Sequence, residues 1–370
     1  MPRDAGLDAA RAVLIVVVVT AHAAAAYMVT PLGWAIQDGS RHLAFDAYVF
    51  VAAAFLMPAF FWLSGYFAAA VYRRRGPAGY LRHRLTRLAL PLAVALVPCS
   101  LALDALWDWG RALAGRATVA AEIPRLEGST LPITLGHLWF LYYLLVLSLA
   151  ALGVVELWRR LRLRAVPAAW IVPVAALVST LVLAAAGVWH LDTPLGFGID
   201  LRVAVYQAAF FGWGWAVHAH PGELVRYARR AWWALAISPV LLAAILPALD
   251  DRGGRAPRYA IAASGAATVA LVIALLGLCV RHTRRLPAAI ERLSAASYGI
   301  YIVHLPLVVL LQIACSRLSW PAPLEHAAIS AITLAVCLAG YAALARARGS
   351  RAASRPPPGS PAPARSAHTP

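Results

Sequence analysis

The chain has 370 residues, of which 62% are hydrophobic and only 13% charged, with a mean hydropathy of +0.70. Soluble domains carry about 25% charged residues and β-barrel strands alternate, so this composition and its continuous apolar runs exclude both. The formal charge of +17 comes entirely from arginine, mostly in short clusters between apolar runs; that is the pattern of cytoplasmic membrane loops, and it argues against a nucleic-acid partner.

The first apolar run follows Met1-Pro2-Arg3-Asp4. Arg11 interrupts its start and no small-residue cleavage site closes it, so it is expected to remain as the first span. Further apolar windows follow, each near the 20 residues needed to cross a hydrocarbon core of about 30 Å. The expected spans lie roughly at 9–30, 48–72, 88–107, 134–155, 166–188, 199–217, 231–249, 258–280, 297–316 and 325–345. They predict an all-α integral membrane bundle of about ten transmembrane helices over residues 1–348, multi-pass in a cell membrane.

The loops sort by charge. Arg73, Arg74, Arg75, Arg82, Arg84 and Arg87 follow the second span, and Arg159, Arg160, Arg162 and Arg164 the fourth. Arg226, Arg229 and Arg230 follow the sixth, and Arg281, Arg284, Arg285 and Arg292 the eighth. In the third loop Arg111, Arg116 and Arg125 are offset by Asp108, Glu122 and Glu127, and the loop at Asp192 has no basic residue. The alternation predicts that both termini are cytoplasmic. Residues 349–370 are rich in Pro, Ser, Ala and Arg and read as a disordered cytoplasmic tail.

Ionisable groups inside a bilayer are costly and therefore functional candidates. Arg11 and His22 share a face of the first span, separated by roughly 16 Å along the axis. A snorkelling arginine and a hydrogen-bonded core histidine are the structural alternative. In the second span Ser64-Gly65 permits close helix approach and Pro58 favours a kink. Beyond it, Arg84 and Arg87 are three positions apart, which on an α-helix makes a shared planar-donor face suited to phosphates, with Arg82 close by. An ordinary positive-inside anchor is the plainer reading of the same cluster.

Span four opens with His137-Leu138-Trp139-Phe140-Leu141 at the outer face, where Trp139 suits an interfacial aromatic belt and His137 is less expected. His304 falls about two turns in from the cytoplasmic side of span nine, where a buried structural histidine is the favoured role. His218 and His220 lack a third ligand, and Cys99, Cys279, Cys315 and Cys337 form no CxxC pair, so no metal site is expected.

In this order the pieces resemble the acyltransferase family 3 membrane proteins, with the glucan-biosynthesis branch nearest in look. The matching residues are Leu7-Asp8 with Arg11 and His22, then Phe60-Phe61-Trp62-Leu63-Ser64-Gly65-Tyr66-Phe67. The Arg82/Arg84/Arg87 run into Pro91, His137-Leu138-Trp139-Phe140-Leu141, and Tyr301-Ile302-Val303-His304-Leu305-Pro306 complete the set. The resemblance spans roughly residues 5–345, loosely in spans five to eight. It implies transfer of an acyl group from cytoplasmic acyl-CoA to a carbohydrate hydroxyl, with His22 and Arg11 in the catalytic positions. Arg84, Arg87 and Arg82 would meet the CoA phosphates, and His137, Trp139 and His304 stand as substrate or structural candidates. A multi-pass transporter or flippase is the competing reading, weakened by the lack of an internal repeat.

Overall fold

A computed structural model describes residues 5–114, 133–164, 166–249, 255–318 and 320–353. Ten helices make up the described fold, and no strand occurs among the described residues. They are α1 (Ala5–Ala24), α2 (Leu43–Arg84), α3 (Leu90–Ala114), α4 (Trp139–Arg160), α5 (Ala168–Ala186), α6 (Leu201–Ala219), α7 (Gly222–Ala243), α8 (Arg258–His282), α9 (Ala288–Cys315) and α10 (Ala322–Ala353). A helix satisfies every backbone N–H and C=O within its own segment, which is why a chain this apolar folds as helices in lipid. The protein is an all-α integral membrane bundle, as its composition predicts.

Eight apolar stretches are long enough to cross a membrane by length and composition, and one of them, Leu43–Leu113, has 71 residues. Drawn straight it would exceed roughly 100 Å. Gly76, at φ +65°, takes a conformation that residues with a side chain rarely adopt, and Pro77 follows it, so α2 breaks there and the stretch divides into two spans. The helix that falls outside the eight is α6, diluted by Arg202, Gln207 and His218. It nevertheless packs between α2 and α5, with Tyr206, Phe210, Phe211, Trp213 and Val217 buried.

Helices α2 and α6 approach closely through glycines. Gly65 faces the backbone of Phe211, and Gly214 faces the backbone of Trp62 and Tyr66. Around this crossing Trp62, Trp213 and Tyr227 pack edge to face, and the Trp213 indole donates to the Tyr227 hydroxyl at 2.8 Å. The small-residue pair noted in the sequence therefore marks a true helix contact.

Side-chain contacts bring the arginine-rich segments to one end. The Tyr72 hydroxyl bonds Glu156, and Arg159 Nη1 donates to that hydroxyl at 3.2 Å, joining the Arg73–Arg75 region of α2 to the end of α4. Arg281 donates to the Ala228 carbonyl at 3.3 Å, joining α8 to the start of α7. Ser294 donates to Asp8 at 3.3 Å, and the Arg11 guanidinium lies 4.4 Å from the Phe67 ring centroid, which places the starts of α1 and α9 beside α2. At the opposite end Tyr27 bonds Glu325 and Asp46 accepts from the Val29 and Thr30 amides. Two arginines there, Arg111 and Arg202, are paired with Asp108 and Asp200.

The positive-inside rule predicts that the arginine-rich end faces the cytoplasm. Reporter fusions after Arg75, Arg164, Arg230 and Arg285 are expected to report cytoplasm, and fusions near Asp192 and Glu122 the outside. Glu122 lies outside the described residues. Two consecutive loops reporting the same side would break the ten-span topology. The tail expected from 349 is described only as far as Ala353, where α10 ends.

Candidate active site

His22 sits in the last turn of α1, about 21 Å along the axis from Asp8 at the arginine-rich end. Helix termini leave carbonyls without intrahelical partners. Here Gln312 of α9 donates to the carbonyls of His22 and Ala23 at 3.2 and 3.0 Å, while its own carbonyl accepts the Trp34 indole N–H at 2.8 Å. Trp34 lies nearly parallel to the His22 ring, centroids 6.0 Å apart, and Trp107 meets Trp34 edge to face. An amide, an indole and the end of a helix thus hold the backbone of residue 22 in place.

Two further histidines converge on it. His304 Nε2 lies 3.1 Å from His22 Nδ1, and His22 Nδ1 is also 2.9 Å from the Val18 carbonyl. His304 is fully buried, its Nδ1 2.8 Å from the Tyr301 carbonyl and 3.2 Å from that of Ile300. The His137 ring stands perpendicular to His304, centroids 5.3 Å apart, and its Nε2 is 2.9 Å from the Ile302 carbonyl. The Tyr301 hydroxyl donates to the His137 carbonyl. His22 keeps accessible surface, and its Nε2 makes no hydrogen bond among the described residues. Chemically, the site offers one accessible imidazole nitrogen backed by a chain of hydrogen bonds.

Several expectations change. α9 begins at Ala288, before the expected span start near 297, so His304 lies about 24 Å along the helix from its first residue. The hydropathy window excluded the charged turn containing Glu291 and Arg292, although the helix runs through it. His137 is no surface member of an aromatic belt, because residues 136–138 form a short 3-10 turn that carries the ring inward. Trp139 is not at the interface either. It is 8% exposed and packs on Phe61 and Tyr143 within the bundle.

Arg11 and His22 share a face as the spacing predicts, but they belong to different places. Arg11 Nη1 pairs with Asp8 at 3.0 Å, near Phe67, and is some three turns from the histidine cluster. Arg84 and Arg87 do not form one patch. A π-helical turn runs from Leu85 to Ala89, and its wider winding separates positions that an α-helix would keep together. Arg84 consequently faces inward, 6% exposed, over the Tyr80 ring, while Arg82 and Arg87 remain exposed. The Arg84 Nε is buried without a hydrogen-bond partner among the described residues.

His218 and His220 diverge: His218 meets the Tyr66 ring, and His220 Nε2 is 3.2 Å from the Val166 carbonyl. No group of three or more His, Cys, Asp or Glu among the described residues is arranged to hold a metal ion. Gln312 and Trp34 were missed in the sequence. The signal for Gln312 was available, since it is a lone amide inside an apolar run.

The polytopic helical bundle holds a buried histidine cluster about 21 Å along α1 from its arginine-rich end. The chain belongs to acyltransferase family 3: the family model, described as an acyltransferase domain, matches residues 4–342. No curated protein and no solved structure matches the chain. The protein is a membrane acyltransferase.

Proposed function

We propose that the protein moves a short acyl group, acetyl- or succinyl-like, from cytoplasmic acyl-CoA to a hydroxyl of an extracytoplasmic glycan such as a glucan, across a cell (inner or plasma) membrane. The observation that carries this reading is His22: it lies in the last turn of α1, toward the end opposite the arginines, accessible, with Nε2 unengaged. In the reaction His22 Nε2 takes the proton of the acceptor hydroxyl as its oxygen bonds to the thioester carbonyl carbon. The carbon–sulfur bond then breaks, and the leaving CoA thiolate takes the proton from His22. No nucleophilic Ser or Cys is bonded to His22 among the described residues, which favours direct transfer over an acyl-enzyme.

Donor binding is assigned to Arg84, with Arg82 and Arg87 around it at the membrane boundary. A buried guanidinium whose Nε lacks a partner is matched by an anion such as a CoA phosphate. Arg84→Gln is expected to raise the KM for acyl-CoA by about 10-fold or more, the worth of a hydrogen bond to a charged group. Arg87→Gln, at an exposed position, should change it less. An unchanged acyl-CoA KM in a normally inserted Arg84→Gln protein would reduce the residue to a topology anchor.

The reading as a whole is tested by incubating purified protein with a panel of acyl-CoAs and glycan acceptors and measuring free thiol. Acceptor-dependent CoA release with a preference among acyl groups is the expected result. Indifference to every acyl-CoA would point instead to a transporter.

A further inference from the structure

We infer that His304 is the positioning residue of the site, holding His22 in the tautomer whose Nε2 carries the free lone pair; this rests on the reading of His22 as the base. The hydrogen-bond partners decide where the protons are. A backbone carbonyl only accepts, so His304 Nδ1, 2.8 Å from the Tyr301 oxygen and 3.2 Å from that of Ile300, carries a hydrogen. The neutral ring then presents a lone pair at Nε2, which points to His22 Nδ1 at 3.1 Å.

His22 Nδ1 is in turn 2.9 Å from the Val18 carbonyl oxygen, again an acceptor. A lone pair on that nitrogen would face the Val18 oxygen and the His304 lone pair together. Placing the hydrogen on His22 Nδ1 removes both repulsions, with one N–H shared between the Val18 carbonyl and His304 Nε2. A doubly protonated His304 does not serve, because it would leave the Val18 oxygen against a bare lone pair. The titratable rings around His304 are His22, His137 and Tyr301, none of them an acid that would balance its charge. The proton arrangement therefore leaves His22 Nε2 bare.

This has a consequence for the rate. When His22 takes the hydroxyl proton it becomes an imidazolium, and its Nδ1–H bond to His304 becomes charge-assisted, about twice as strong as a neutral bond. The interaction grows along the reaction coordinate, which is what accelerates a step. A buried carboxylate does the same for histidine in a Ser-His-Asp triad, but an isolated charge is expensive within a membrane, and a neutral imidazole is not. His137, perpendicular to the His304 ring and anchored on the Ile302 carbonyl, limits its rotation.

The test has a spectroscopic and a kinetic arm. In full-length wild-type protein labelled with ¹⁵N-histidine, NMR is expected to show both His22 and His304 protonated at Nδ1, the signals being assigned by their loss in His22→Asn and His304→Gln. A His22 protonated at Nε2 instead overturns the inference. Kinetically, His304→Leu keeps bulk but offers no acceptor, and should lower kcat on the order of 10–100-fold with both KM values unchanged. His304→Gln supplies an acceptor oxygen and should recover most of the loss. In a His22→Asn background, His304→Leu should cost little more, because the two act as a unit. Wild-type kcat in His304→Leu beside an inactive His22→Asn overturns the role of His304 and leaves the base standing. An active His22→Asn overturns the base itself. If His304→Leu does not fold, the wild-type tautomer and the His304→Gln rate decide.

Discussion

Replacing His22 with alanine is expected to slow acyl transfer by roughly 10²–10⁴-fold, the usual worth of general-base catalysis. The protein should still insert and fold, because the backbone of residue 22 is held by Gln312 rather than by the imidazole. The sharper variant is His22→Asn, which remains polar and can still bond to the Val18 carbonyl but has no basic nitrogen. A histidine serving only to pack and hydrogen-bond would leave His22→Asn near wild-type turnover. A base would leave it as slow as His22→Ala. The measurement is turnover of both purified variants beside their thermal unfolding, and near-normal turnover of His22→Asn would remove the proposed mechanism while leaving the family assignment intact. Arg11→Lys separates the second residue singled out in α1. Its guanidinium is engaged with Asp8 and Phe67, so loss of the planar fork is expected to disturb the inner end of the bundle and not the proton transfer itself.

The second large effect is on stability. Gly65→Ala places a methyl group directly on the Phe211 carbonyl oxygen, and Gly214→Ala does the same at the Trp62 carbonyl. Backbone cannot step aside as a flexible side chain can, so α2 and α6 must separate along their crossing. Overpacking of this kind costs about 1–3 kcal/mol and occasionally more, and either variant should unfold at a clearly lower temperature in detergent. Gly212, two positions from Gly214 on the same helix, is exposed and has open space where a Cβ would go. Gly212→Ala should therefore be neutral or slightly stabilising, by up to the ~1 kcal/mol difference in helix propensity. Equal unfolding temperatures for Gly65→Ala and Gly212→Ala would show that the close crossing does not matter. Reduced stability in Gly65→Ala with unaltered kcat at lower temperature would place its effect in packing alone.

What the sequence by itself determined is the class of molecule and its helices. Hydropathy is a property of each window of the chain, and lipid leaves a continuous apolar segment no alternative to a helix, so the ten helices were legible. The gathering of arginines at one end was legible for the same reason, since alternation of loops follows directly from the number of crossings. Individual site residues were partly visible: His22 stood out because an ionisable group in an apolar run is conspicuous, and Gly65 because small residues permit close approach. Only the tertiary structure decided how these pieces combine. The meeting of His22, His137 and His304 joins positions more than a hundred residues apart, and no local pattern encodes that distance. Helix length set how far His304 lies from the start of α9, because the helix continues through a charged turn that hydropathy does not count. The π-helical turn at Leu85–Ala89 sent Arg84 inward and left Arg87 outside, overriding a spacing that α-helical geometry would have kept on one face. Local chemistry chose the elements. Packing chose which of their polar groups meet.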